Sequence, residues 1–561
     1  MIDMKKIDKV LVLLSIILIS ISCEPNLDNV YTEERMDNDP AFTEGLLLQG
    51  YRLLSNAYSY NETATDDAVT NDKNSNFLRI ATGNWTSSFN PMDVWDSNYN
   101  VIFHLNKFLS VVDGMEWSWQ STKRNELFRA RLKGEALTLR AYHHFILLMH
   151  HGGVDTNNEL KGIPVIREIV DFNDDWIFQR PSYQETVNAI MADIDEAIRL
   201  LPFDYVDQGN DGDYNRVNGK GQRGRVSGRI ATALKARIAM HVASPLFNNG
   251  DYNQSLSELA AQSVQNAISD RPDLPANGLL FYDDDNDINN PEIIWKNDYV
   301  DIRSWEEAQY PPSIYGRGEV NPTQNLVDVF PMKNGSPITE QGSSYDPQNP
   351  YTDRDPRLAH YIVYNGNKIG NHTIMTNKES VTDGLNNTTA STRTGYYLKK
   401  LLRPDVTLTP GSQNVRRHFK SHIRFTELYL IYAEAANEAW GPDNDPQGYG
   451  LTAREAIAAI RERAGIDQPD LYLASITSKE QMRELIRNER RIELCFEGFR
   501  FWDIRRWDLP LNEEAKGISI ENNTHTVISV ERRSFDAYMK FGPIPLAETL
   551  KNKELLQNKG W

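Results

Sequence analysis

Four histidines, His143, His144, His150 and His151, crowd one helical stretch, the residue type and density of a metal centre. Their spacing argues otherwise. Residues seven apart on a helix lie about 10.5 Å apart along its axis, whereas zinc holds imidazole nitrogen at about 2.0–2.1 Å, so one ion does not bridge both pairs. Packing and surface hydrogen bonding are the expected roles. The run Asp283-Asp284-Asp285-Asn286-Asp287 offers oxygen ligands at alternating positions, as calcium loops do. Counted from Asp283, an EF-hand needs glycine at 288 and glutamate at 294, where this chain has Ile288 and Ile294. A solvated capping loop is the default, structural calcium of another geometry stays open, and no cofactor is expected.

For catalysis, 78 acidic residues allow any number of imagined carboxylate pairs, and sequence spacing does not fix their separation in space. No G-x-S-x-G elbow, H-E-x-x-H helix or Walker-type loop is present. Glu489, Arg490, Arg491, Glu493 and Glu497 read as a structural ion network on a helix beginning near Thr477, with Arg490 paired to Glu493 three residues on. Cys495, beside Phe496 and Phe499, reads as a small core residue. The aromatic residues are more informative. Trp85, Trp305, Tyr310 and Tyr315 sit in stretches rich in glycine, proline and asparagine, where an apolar stripe is hard to draw. Flat rings suit the C–H faces of sugars while nearby polar groups take hydroxyls, so as a group they favour a ligand surface, each alone being equally explained as a local core plug.

The elements that position these residues are mostly helical. Asp39-Pro40 caps a helix carrying Phe42, Leu46, Leu53 and Ala57; a long one runs from Arg124 to His151 and stops at Gly152-Gly153. Ser182 with Glu185, Thr452 with Glu455 and Thr477 with Glu480 have the spacing of capping boxes. Further helices are expected over Ser227–Phe247, Asn253–Ser269 and Ile423–Trp440. No fixed repeat period relates them. Between Pro272 and Arg416 the texture turns to proline, glycine, asparagine and aspartate, with β-like runs at 292–295 and 360–364, and such long loops belong to binding surfaces.

Length 561, 40% hydrophobic and 25% charged residues describe a globular chain with a large core. Its net charge of −18 argues against nucleic acid as a partner. Lys5, Lys6 and Lys9 precede a short apolar run ending in small residues before Cys23, the pattern of an export signal. It resembles a bacterial lipoprotein signal, in which residues 1–22 are removed and Cys23 is acylated. Glu24 and Asp28 resemble an acidic tag for the cell surface. Cys495 is then left without a disulfide partner.

Motifs along nearly the whole chain carry a family resemblance. They include Arg131–Ala136 with Arg140-Ala141-Tyr142, Gly162-Ile163-Pro164-Val165, Ala243–Phe247, Pro322-Thr323-Gln324, Asp353–Leu358 and Leu430–Ala435. The most specific is Asn488-Glu489-Arg490-Arg491-Ile492-Glu493-Leu494, continuing through Phe496-Glu497-Gly498 to Asp503–Trp507. Pro543-Ile544-Pro545 and Gln557–Trp561 complete the set. In these the chain resembles the SusD/RagB family of nutrient-binding lipoproteins. The resemblance implies a mostly α fold, four tetratricopeptide-like helix pairs packed against an irregular, loop-rich ligand-binding part with a few short strands. It implies one compact body with an N-terminal helical region over 23–280 and a C-terminal region over 281–561. It also implies a cell-surface protein on an outer-membrane lipid anchor that binds oligosaccharide without catalysis and passes it to a SusC-like TonB-dependent transporter. Matching by order places ligand contacts at Asp67, Arg79, Trp85 and Asn90 in the early loops and at Trp305, Tyr310 and Tyr315 in the middle. Peptide capture on the same scaffold and a surface glycoside hydrolase are the alternatives.

Overall fold

The computed structural model describes residues 33–170, 177–283 and 290–561. The signal stretch, Cys23, Glu24, Asp28 and most of the acidic run, Asp284, Asp285 and Asp287, lie outside the described residues.

Local chemistry explains where the main helices begin. Helix α1 (Pro40–Arg52) starts at Asp39, whose carboxylate accepts the amides of Ala41 and Phe42, each at 3.1 Å, with proline in the first turn. It is followed by α2 (Trp95–Val111), the long α3 (Thr122–His151), α4 (Tyr183–Leu200), α5 (Gly228–Ala243) and α6 (Gln254–Ile268). The second half supplies α7 (Phe425–Trp440), α8 (Ala453–Ala464), α9 (Lys479–Glu493) and α10 (Arg500–Arg506). The boxes at Ser182/Glu185 and Thr452/Glu455 are formed. The third differs by one residue: α9 is boxed by Ser478 and Gln481, not by Thr477 and Glu480. Both pairs have the right spacing, and the later start leaves Glu480 in the first turn, where a carboxylate favours the helix dipole.

Helices α1 to α8 pack in series, each against the next, and α9 covers α7, giving four helix pairs. Their shared core runs from Met36 and Leu47 through Leu132, Leu139, Ile190, Ile230 and Ala260 to Leu430, Ile457 and Ile486. Both halves of the chain contribute to it. Each fully buried Leu or Ile adds about 1.5–3 kcal/mol relative to exposure, which favours one continuous stack over separate pairs.

Strands occur among the described residues only as two-stranded antiparallel ribbons. Strand β1 (Ala68–Thr70) pairs with β4 (Val320–Pro322), β2 (Ile293–Lys296) with β6 (Ser421–Arg424), and β3 (Val300–Ile302) with β5 (Arg416–His418). The hairpin of β7 (Ala515–Glu521) and β8 (Thr524–Glu531) turns at Asn522 and Asn523, both with positive φ, the conformation a tight primed turn demands. Of the expected strand at 360–364 only Ile362 and Val363 are extended. Asp355 caps a short helix over Pro356–Tyr361 with proline at its start, and that local signal overrides the β-like side chains.

The carboxyl end closes the molecule. Asn558 donates to the carbonyls of His151 (2.9 Å) and Gly542 (2.6 Å), and the Lys559 amide donates to Val154 at 2.8 Å. These contacts tie the last residues to the end of α3.

Candidate functional site

The Asn488–Leu494 motif lies inside the protein and holds its halves together. Arg357 is fully buried and reaches Asp355 (2.6 Å), Glu489 (2.9 Å) and Glu493 (3.2 Å). Arg424 joins Glu292 and Glu497 at 2.8 and 2.9 Å, and Arg463 reaches Glu493 at 2.8 Å. The expected pair between Arg490 and Glu493 is not the one formed. Arg490 binds Asp503 at 2.9 Å, because Glu493 is already surrounded by Arg357, Arg424 and Arg463 from other segments. Burial alone raises the Glu493 pKa, but the arginines outweigh it and bring it to about 2. Glu497 lies past the end of α9. Cys495 is buried, its thiol pushed up to about 12 by burial, an inert packing residue.

The four histidines are interior packing residues. His143 bonds Asn98 and the Gly50 carbonyl, while His144, His150 and His151 each contact a backbone carbonyl, those of Arg140, Met92 and Pro543. Among the described residues no group of three or more His, Cys, Asp or Glu side chains could hold a metal ion.

The structure brings the early and middle loops together through the ribbon of β1 and β4, extended by the Thr323 amide donating to the Asp67 carbonyl at 2.9 Å. It distributes the expected contact residues unevenly. Trp85 is 4% exposed; its ring packs on Trp561 at 4.8 Å and Phe501 at 6.2 Å, and its N–H donates to Asn90 at 2.9 Å. That removes both rings' faces and the Asn90 acceptor from a stacking surface. Asp67 is likewise out of reach: it is fully buried, and its Oδ1 accepts from Arg491 at 2.6 Å. Tyr310 is buried with its hydroxyl on the Arg403 carbonyl at 2.6 Å. Trp305 is half-buried between Tyr58 (5.6 Å) and His418 (4.9 Å). Only Tyr315 and Arg79 stand out in solvent. Tyr315 is 57% exposed at φ +70°, a left-handed conformation that bulky residues seldom adopt, after Pro311-Pro312. Arg79 lies over the Phe89 ring at 5.5 Å.

Beside these loops lies a cavity of about 430 Å³, within the size range of small-molecule sites. Its walls come from segments far apart in sequence. Phe77 comes from a short helix over Asn76–Ala81 and Met92 from the loop after it, Tyr142 and Met149 from α3, Phe499 and Trp502 from the approach to and start of α10. The polar wall includes Lys420 and, on β6, Ser421 and His422, with Arg237 on α5. Trp502 packs on His150 at 4.6 Å, and Arg237 lies over Phe499 at 5.7 Å. Burial holds His150 and His422 neutral, each at about 3. None of these wall residues was singled out as a ligand contact from the sequence. Trp502 lies beside the Asp503–Trp507 motif, and Lys420 carries no local signal, since only the fold assembles this wall.

A family model described as the SusD family matches residues 284–561, and a second, described as starch-binding associating with outer membrane, matches residues 32–210. The chain is 22% identical over 429 residues to the SusD-like protein P38 of Formosa agariphila, covering 73% of this chain and 71% of that protein. A SusD-like protein of Bacteroides fragilis superposes with a TM-score of 0.75 at 22% identity, covering 96% of this chain and all (100%) of the other. A second protein of that organism, a SusD-like carbohydrate binding protein, superposes with a TM-score of 0.71 at 23% identity, covering 93% and 100%.

Proposed function

Because the chain belongs to the SusD family, we propose that it is a non-catalytic receptor that captures oligosaccharide at the outer membrane and hands it to a partner TonB-dependent transporter of the SusC type. The observation that carries the binding half of this reading is the cavity of about 430 Å³ whose apolar wall is built from Phe77, Tyr142, Phe499 and Trp502. Aromatic faces hold the C–H surface of a sugar by dispersion, and polar groups on the facing wall take its hydroxyls. Tyr315, with Arg79 and the half-buried Trp305, forms an outer contact for a longer chain. Acylation at Cys23 anchors the protein, with its body facing the exterior. The carbohydrate-binding relative in Bacteroides fragilis supports the ligand class.

The test is calorimetry of the full chain against a panel of oligosaccharides, with reducing ends analysed after incubation. Saturable binding without product formation is expected, and Trp502→Ala should weaken it about tenfold or more, the loss of one stacked ring in a desolvated pocket. Binding of peptides alone, or release of new reducing ends, overturns the reading. Pull-down of a co-expressed barrel partner tests the delivery half.

A further inference from the structure

The cavity has a chemically distinct end. Lys420 is in its wall, yet among the described residues its ammonium forms no ion pair; what it faces is the ring of Tyr58 at 5.9 Å. Every arginine nearby is spoken for. Arg237 pairs with Glu427 at 2.6 Å, Arg490 with Asp503 at 2.9 Å and Arg506 with Glu434 at 2.6 Å. The acids of the wall are equally committed: Glu497 to Arg424 and Lys400, Asp503 to Arg490 and Arg506. Asp93 accepts the Trp95 amide at 2.9 Å on a part of the wall open to solvent. The carboxyl whose field Lys420 feels, Glu62, accepts the Gly498 amide at 2.6 Å and is itself raised to about 7 by burial.

The result is a lysine held in a largely desolvated wall without a counter-ion. Burial, and the field of Arg237, lower its pKa to about 8, the signature of a cation short of an anion. Its neighbours carry unmet hydrogen-bonding capacity as well. Ser421 Oγ, His422 Nε2 and Arg490 Nη1 have no protein partner, and His422 and Arg490 are more than nine-tenths buried. Lys420 is half-buried, and a cation that has lost much of its water without gaining a counter-ion is satisfied by an anion that a ligand supplies; a ring-bearing one fits the aromatic part of the wall.

We infer that the cavity selects acidic saccharides, with a ring carboxylate or sulfate placed against Lys420 and the ring's C–H face on Phe77, Phe499 and Trp502. This rests on the reading of the chain as a glycan receptor and adds to it the charge of the ligand. A charge-assisted contact in this setting is worth about 1.5–3 kcal/mol, on the order of tenfold or more in affinity.

The experiment is calorimetry of the full chain and of Lys420→Met and Lys420→Arg. The probes are a glucuronate-containing oligosaccharide, a sulfated one, their neutral counterparts, and phenyl sulfate, which has a ring and an anion but no sugar. The expected result is a preference of about tenfold for one or both acidic saccharides over the neutral one. Lys420→Met should abolish that preference, lowering affinity for the acidic saccharide about tenfold more than for the neutral one without lowering the thermal midpoint, while Lys420→Arg should retain most of it. The carboxylate and sulfate arms show which anion is taken. Equal affinity for neutral and acidic sugars, or a preference that survives Lys420→Met, overturns the inference and leaves the glycan reading standing. Lys420-dependent binding of phenyl sulfate with no saccharide bound overturns the glycan reading and leaves the anion site standing. Silence from every probe overturns both.

Discussion

A tryptophan in a loop can serve either a ligand or the loop itself, and Trp85 and Tyr315 fall on opposite sides of that divide. Trp85 lies against Trp561 and Phe501 with its N–H satisfied, so Trp85→Ala should cost about 3–5 kcal/mol of stability, seen as a lowered midpoint in urea unfolding. Any change in glycan affinity would follow from that loss. Tyr315 shows the reverse balance. It is exposed and held at positive φ, so Tyr315→Ala should weaken binding of longer oligosaccharides several-fold while the unfolding midpoint stays within about 0.5 kcal/mol. An unchanged affinity for every chain length would remove Tyr315 from the ligand surface. Sequence composition placed both rings in loops correctly but could not tell them apart, because what covers Trp85 is the far end of the chain.

Among the elements, helices were legible wherever their own residues fixed the ends. Asp39, Ser182 and Thr452 each satisfy free amides a few residues away, and such short-range signals survive translation into three dimensions. The single-residue slip at Ser478 shows the resolution of that reading. Ser478→Ala should destabilise by about 1 kcal/mol and Thr477→Ala by much less, a comparison that thermal denaturation makes directly. The ion network was legible in its residue types and not in its pairing. A helix offers Arg490 a partner at Glu493, yet Arg357, Arg424 and Arg463 take Glu493 and Asp503 takes Arg490. Arg357→Met should therefore cost about 3–5 kcal/mol, since it leaves Asp355 buried without its cation and takes one of the cations from Glu489 and Glu493. A loss below about 1 kcal/mol would mean those carboxylates find other partners.

For the whole molecule, the buried titratable groups set an acid limit. Burial lowers His143, His144, His150, His151, His241 and His422 to between about 3 and 4, below the ordinary value near 6.5. Folded values below the unfolded ones mean that this stability is fully present above about pH 6.5 and drains away as pH falls through the folded values. Glu434 and Glu493, each at about 2 because arginines outweigh burial, add a further loss as pH drops below about 4.5. The thermal midpoint should decline steadily below about pH 6.5; a level midpoint down to about pH 4 would contradict the neutral interior imidazoles. The cavity belongs to this scale too. Its walls join residues from Phe77 to Trp502, and no local pattern announces such a meeting.

The clasp at the carboxyl end gives the molecule a direction in time. His151 waits for Asn558, 407 positions further along the chain. At about 5–20 residues per second of synthesis, the end of the longest helix is exposed for tens of seconds before its fastener emerges. A growing chain cannot fasten the end of that helix until the segment carrying Asn558 has been made. Asn558→Ala should therefore loosen the turn after His151, seen as faster amide exchange around Gly152–Val154.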